Sequence, residues 1–157
     1  IGSLDAYLNG LADIRYDFQQ DRVVYLVKSD NKVIDGTGRS LNGYKPKWRR
    51  YGSSKHPYVC GSSDNCFIVE DCPSACAVSN LVTGLGLMGT TLLDEHMDVI
   101  TKYKKVYVAL DKDATSKAYM MIRKLRNYVP TKLIVLNKDL KDMEKGERND
   151  FIRRYIN

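Results

Sequence analysis

A chain of 157 residues with 43% hydrophobic content can bury roughly 70% of the surface its unfolded form exposes, which predicts one compact unit with room for a small appended subdomain. No apolar run approaches the roughly eighteen residues that a membrane helix needs, so a spanning segment is excluded. The 25 Lys and Arg against 19 Asp and Glu leave a net charge of +6, a lean toward a polyanionic partner.

The chain opens at Ile1-Gly2-Ser3 without methionine, as a piece of a longer protein would, and carries no signal-peptide pattern. Leu4, Tyr7, Leu8, Leu11, Ile14 and Phe18 recur at three- and four-residue intervals and predict an amphipathic helix with Ser3 as its N-cap. Val23 to Val27 suits a half-buried strand. Ser29-Asp30-Asn31 then turns the chain into Lys32-Val33-Ile34, which completes a β-hairpin. Asp35-Gly36-Thr37-Gly38 breaks the pattern and is expected to deliver Arg39 into a loop.

The next segment interleaves Lys45, Lys47, Arg49 and Arg50 with Tyr44, Trp48 and Tyr51, and continues to Lys55 and His56. Bases stack on aromatic rings while cations track phosphates, so this composition suits single-stranded nucleic acid or a nucleoside triphosphate. The alternative is that Trp48 and Tyr51 bury their rings while the cations face water. Tyr58-Val59-Cys60 predicts a short strand, and Gly61 to Asn65 a boundary between an N-terminal subdomain and an acid-bearing sheet. The four cysteines, Cys60, Cys66, Cys72 and Cys76, crowd into one stretch without a Cys-x-x-Cys pair. Reduced buried thiols in a cytoplasmic protein are expected, with structural zinc as the alternative.

Cys66-Phe67-Ile68-Val69 is an apolar run that ends in Glu70 and Asp71. Pro73 comes next, where a first helical turn accepts proline, and Ser74 to Leu81 is the expected helix. Gly84-x-Gly86-x-x-Gly89 has the form of a dinucleotide-binding fingerprint, which would make Cys76 to Val82 a strand and Asp111 a ribose-binding acid. Ser79, Asn80 and the upstream Pro73 favour a helix there instead. Leu85 to Met88 is therefore read as a buried strand and Gly89-Thr90-Thr91 as the turn after it. Leu92 to Thr101 predicts a helix with Leu93, Met97 and Ile100 on one face and His96 exposed.

Val106 to Leu110, between a lysine pair and an acid pair, has the pattern of a short strand buried on both faces of a parallel sheet. If its extended backbone persists, Asp111 and Asp113 project to one side at the carboxyl end, where open α/β sheets bind ligands; alternatively they solvate the strand end or cap the next helix. Should this strand and the one ending at Glu70 be neighbours, Glu70, Asp111 and Asp113 converge on one crevice. Clustered carboxylates repel unless a cation lies between them, and magnesium prefers such oxygen ligands. Ala118, Met121, Ile122 and Leu125 then adopt helical spacing after Thr115, with Lys117, Arg123, Lys124 and Arg126 outside. Pro130 stops that helix, Leu133 to Leu136 is a third apolar strand ending in the polar cluster Asn137 to Asp142, and Glu147 to Ile156 is a closing helix.

This order, with an acid at Glu70, the pair Asp111-x-Asp113 and then Lys138-Asp139-x-x-Asp142, resembles the Toprim domain in the RNA-polymerase (primase) region of tailed-phage primase-helicases. The resemblance covers about residues 67 to 142, and the basic segment before it is similar, more loosely, to the N-terminal subdomain of that region. It implies an α/β fold with a Toprim-like open, mostly parallel sheet flanked by helices. A small N-terminal α+β subdomain would occupy 1–66, the catalytic domain 67–142 and a C-terminal helix 143–157. It further implies Glu70, Asp111 and Asp113 as catalytic residues that, with Asp139, hold magnesium or manganese. Arg39, Lys45, Lys47, Trp48, Arg49, Arg50, Lys117 and Lys138 would contact nucleotide or nucleic acid.

The implied activity is synthesis of RNA primers by nucleotidyl transfer on single-stranded DNA. The implied partners are the template, nucleoside triphosphates and a helicase in the same longer chain or in complex, with no membrane, in a host cytoplasm if phage-encoded. A Toprim-type nuclease would use the same acids, and a non-catalytic module would bind single-stranded DNA through Lys45 to Tyr51. Two positions depart from the family pattern, which has glycine where this chain has Asp71 and Ser116. Glycine allows close backbone approach, so phosphate or metal would sit differently here.

Overall fold

In the computed structural model, which describes residues 2–157, a four-stranded antiparallel sheet precedes a five-stranded sheet that is mostly parallel. Helix α1 (Gly2–Leu8) leads into strands β1 (Ile14–Asp17), β2 (Arg22–Ser29), β3 (Lys32–Ser40) and β4 (Trp48–Arg50), which pair in chain order. The expected long N-terminal helix is therefore corrected. Ala6, not the Leu4-Tyr7-Leu8 stripe, faces the core; those three are exposed, and Phe18 is 85% exposed. Local periodicity lost to pairing, because Ile14 to Asp17 gains backbone partners along β2. Ser3 lies inside the helix rather than capping it, its hydroxyl 2.9 Å from that of Tyr25.

The expected hairpin is present as β2 and β3, but β3 runs on through Asp35 to Ser40, so Arg39 belongs to a strand and not to a loop. Gly38 is required there by close approach: a Cβ on it would lie 2.9 Å from the Tyr51 ring. Asp35, buried in this sheet, accepts hydrogen bonds from the N–H groups of Gly36 and Gly52 (both 2.7 Å) and from Arg50 Nε (2.8 Å). Burial pushes its carboxyl up, but Arg50 and these amides outweigh burial and hold it below the usual range.

The second sheet contains β5 (Tyr58–Cys60), β6 (Asn65–Val69), β7 (Thr83–Gly86), β8 (Lys105–Val108) and β9 (Thr131–Leu133) in the spatial order β5-β7-β6-β8-β9, with only β5 antiparallel. It thus begins upstream of the expected boundary at Gly61 to Asn65. Along β6 the side chains alternate between two buried clusters, Phe67 and Val69 in one, Cys66 and Ile68 in the other, as a central strand covered on both faces must. The first cluster also takes in Tyr25 and Val27, so the two sheets share a core. All four cysteines are buried free thiols.

Helix α2 (Cys72–Val78) connects β6 to β7. Asp71 is its N-cap, accepting the Ser74 N–H at 2.9 Å, and Pro73 fills the first turn. The Rossmann alternative is excluded, because Cys76 to Val78 is helix and Gly84 lies within a strand. Gly84 serves packing: a Cβ there would lie 2.2 Å from the Ala75 carbonyl oxygen, so α2 rests directly on β7.

Helix α3 (Asp94–Ile100) corrects the expectation for His96, which is 2% exposed. Its Nδ1 accepts the Leu93 N–H at 3.1 Å, which satisfies one of the free donors at the helix start. Helix α4 (Thr115–Leu125) buries Ala118, Met121, Ile122 and Leu125 as its spacing predicts. Strand β9 ends at Leu133 rather than Leu136, and α5 (Lys145–Ile156) closes the chain.

Candidate active site at the carboxyl edge of the five-stranded sheet

Glu70 comes directly after the last residue of β6, and Asp111 lies just past the end of its parallel neighbour β8. Both strand ends are tied down by backbone bonds. Leu87 donates to the Val69 carbonyl (2.9 Å), Gly89 to that of Glu70 (3.2 Å), and Ala109 to that of Ile68 (2.9 Å). Leu87 and Gly89 flank Met88, whose φ of 59° swings the chain after β7 around Glu70.

Burial pushes the Glu70 carboxyl up to about 7; the charges of Asp111 and Asp71 add to the rise, against the Asp111 backbone amide and Lys141. Asp111 is also raised by burial, opposed by Lys141 and reinforced by Asp139 and Asp71. Asp139 Oδ1 in turn accepts the Lys112 N–H at 3.2 Å. Glu70, Asp71, Asp111 and Asp139 therefore share this edge.

Asp113 is not on the extended segment that carries Asp111. The extended backbone stops at Asp111, and Lys112–Ala114 forms a 3-10 turn closed by the Ala114 N–H on the Asp111 carbonyl (2.9 Å). Two-residue alternation then no longer applies, and Asp113 is exposed. Among the described residues, no three His, Cys, Asp or Glu are placed to hold one metal ion. The donor chemistry nevertheless fits a hard divalent ion at Glu70 and Asp111, because magnesium is commonly held by one or two carboxylates together with waters and substrate phosphates. A pair whose ionisation is opposed by burial and like charge is one that a cation relieves.

One cation is already present. Lys141 Nζ lies 2.7 Å from Asp71 Oδ2 and 3.4 Å from Asp111 Oδ2. Burial pulls its pKa down, but the two carboxylates outweigh that and hold it above the ordinary value. Sequence reasoning missed this residue. It read Asp71 as an acid at the strand end and as a replaced glycine but not as a cap, although an aspartate two positions before proline and three before serine carries the N-cap signal. The Asp71 backbone is extended (φ −134°), so glycine is not demanded at this position.

The expected nucleic-acid residues divide into two groups. Lys45, Lys47 and Arg49 are exposed on the first sheet and the loop before β4. Arg50 is instead committed to Asp35 and, through Nη2, to the His56 carbonyl (2.8 Å). Trp48 is half-buried with its ring 5.9 Å from Tyr25, and Arg39 lies over it at 5.7 Å. Lys117 reaches from α4 to the Thr90 hydroxyl (2.9 Å) beside the loop that wraps Glu70, while Lys138 pairs with Glu147 at 3.6 Å.

No family profile matches the chain, and neither does any curated protein sequence. Solved structures do. The DnaG primase catalytic domain bound to single-stranded DNA superposes with a TM-score of 0.71 at 16% identity, over 96% of this chain and 57% of that one. A DNA primase domain from Pseudomonas aeruginosa gives 0.69 at 18%, over 96% and 56%. The RNA polymerase domain of Mycobacterium tuberculosis primase DnaG gives 0.67 at 14%, over 96% and 61%. The fold is that of a primase catalytic core. The chain spans little more than half the length of these neighbours.

Proposed function

We propose that this chain is the catalytic core of a magnesium-dependent DNA primase that makes RNA primers on single-stranded DNA by nucleotidyl transfer, of the kind found in phage primase-helicases. The observation that carries the reading is the meeting of Glu70 and Asp111 at the carboxyl ends of two adjacent parallel strands, in a fold shared with primase catalytic cores.

In this reading Glu70 and Asp111 hold the ion, with Asp139 beside them; manganese is the alternative metal. Bound there, the ion would lower the pKa of the attacking 3′-hydroxyl and neutralise triphosphate charge. The rest falls to side chains. Glu70, raised on its own, would be held ionised as a ligand once the ion is bound. Lys117 and Lys138 supply positive charge flanking the edge, and Lys45, Lys47 and Arg49 offer an exposed basic surface to a polyanionic strand. A helicase in the same longer chain or in complex, and a cytoplasmic location, complete the proposal.

Primer synthesis on single-stranded template with labelled nucleotides, with magnesium or manganese varied, tests it. Asp111→Ala is expected to lose synthesis by at least a hundredfold while keeping the wild-type unfolding midpoint; retained activity refutes the assignment. Strand cleavage without nucleoside triphosphates would instead mark a nuclease. A second reading, a non-catalytic module that binds single-stranded DNA, draws support from Asp113 lying in an exposed turn and Lys141 lying among the acids. It requires that Asp111→Ala leave DNA binding unchanged and that no synthesis be found in the wild type.

A further inference from the structure

Lys141 is fixed at its base by its turn and held at its tip by the two carboxylates alone. It sits in the 3-10 turn Leu140–Asp142, closed by the Asp142 N–H on the Asp139 carbonyl (2.9 Å) and clamped by Leu140 and Met143, 1% and 7% exposed. Its side chain is 31% exposed, so solvent and ions reach the ammonium. Asp71 has both carboxylate oxygens occupied, Oδ1 by the Ser74 N–H and Oδ2 by Lys141. It is therefore an anchor for the lysine. Asp111 has the longer of the two contacts, 3.4 Å against 2.7 Å, and is the one the lysine gives up more easily.

We infer that Lys141 is an internal counter-cation of this edge that competes with a divalent ion for Asp111, with Asp71 as the post that retains the lysine when the ion binds. The inference rests on the reading that Glu70 and Asp111 hold magnesium. An ammonium and a divalent ion cannot both lie against Asp111 without strong mutual repulsion, so the lysine sets how tightly the edge takes its metal. Displacement costs only the weaker contact, because the side chain can swing wholly onto Asp71.

Manganese titration of the nucleotide-free chain, monitored by the electron paramagnetic resonance of free manganese, reads this without any activity measurement. Lys141→Met keeps the unbranched stem of the side chain and removes its charge, and is expected to tighten manganese binding at least tenfold; Lys141→Gln is the second variant should the first fold poorly. Asp71→Asn keeps the helix cap, since asparagine also accepts the Ser74 N–H. It releases the lysine toward Asp111 and is expected to weaken binding severalfold. If Asp111→Asn abolishes binding while both Lys141 variants stay within twofold of wild type, the inference falls and the metal site stands. An unchanged Asp71→Asn removes the anchoring role. Absence of saturable binding in both the wild type and the Lys141 variants overturns the inference, while the metal reading is decided by the metal-varied primer-synthesis assay.

Discussion

Lowering the pH from 7.5 to 5 is expected to destabilise the fold through His96 alone by a measurable amount. The imidazole is 2% exposed, and its Nδ1 accepts the Leu93 N–H, so it must be neutral at that nitrogen in the folded chain. Burial lowers its pKa from 6.5 to about 4, against the opposing charge of Glu95. Because the folded value lies below the unfolded one, the unfolded chain takes up the proton first as acid is added. Stability from this residue is complete above about pH 6.5 and is lost as the pH falls toward 4. With these two values the loss at pH 5 is about 2 kcal/mol, approaching about 3 kcal/mol below pH 4.

The comparison protein is His96→Asn, whose side-chain oxygen can accept the Leu93 N–H without titrating in this range. Urea unfolding of both proteins at pH 7.5 and 5.0 gives the difference in stability at each pH. That difference should shrink or reverse by about 2 kcal/mol on acidification. His56 and the carboxylates are present in both proteins and cancel. A difference that stays constant between the two pH values would show that His96 is not the buried neutral acceptor described, and the reasoning would fail.

Gly84→Ala should cost about 3 kcal/mol or more, because the added methyl would meet the Ala75 backbone and not a side chain that can move; a loss below about 1 kcal/mol in urea unfolding would mean that α2 does not lie so close to β7. Asp35→Ala should cost about 3 kcal/mol, since it leaves Arg50 without its buried partner and the Gly36 and Gly52 amides without an acceptor. Thermal unfolding checks the loss, and amide exchange should show Gly52 and Ser54, whose N–H groups both donate to the Asp35 carboxylate, losing protection ahead of β2. An unchanged midpoint would refute the role of Asp35 as the hub of the first sheet.

Much of the second sheet was legible residue by residue. Cys66 to Val69 and Val106 to Leu110 are apolar runs too short for helices and ended by acids; the first is strand throughout with Glu70 directly after it, while the second is strand to Val108 and stays buried through Leu110 before Asp111. The inward face of α4 was legible from its helical spacing in the same way. The N-terminal stretch misled because Leu4, Tyr7 and Leu8 carry helical periodicity without being buried, and pairing with β2 overrode the pattern beyond Leu8. Gly36 and Gly38 read as a break because glycine marks turns and close packing alike. Only the neighbouring Arg22 and Tyr51 side chains separate the two cases at Gly38.

The sequence by itself determined the two central strands of the second sheet, β6 and β8, and that acids follow them, since burial on alternating faces is written into local order. Tertiary structure alone decided the membership of the site. A 3-10 turn ended the strand alternation between Asp111 and Asp113, the packing of α3 buried His96, and a path of seventy residues brought Lys141 between Asp71 and Asp111. Such placements depend on strand order and loop course, which set distances that no local periodicity encodes.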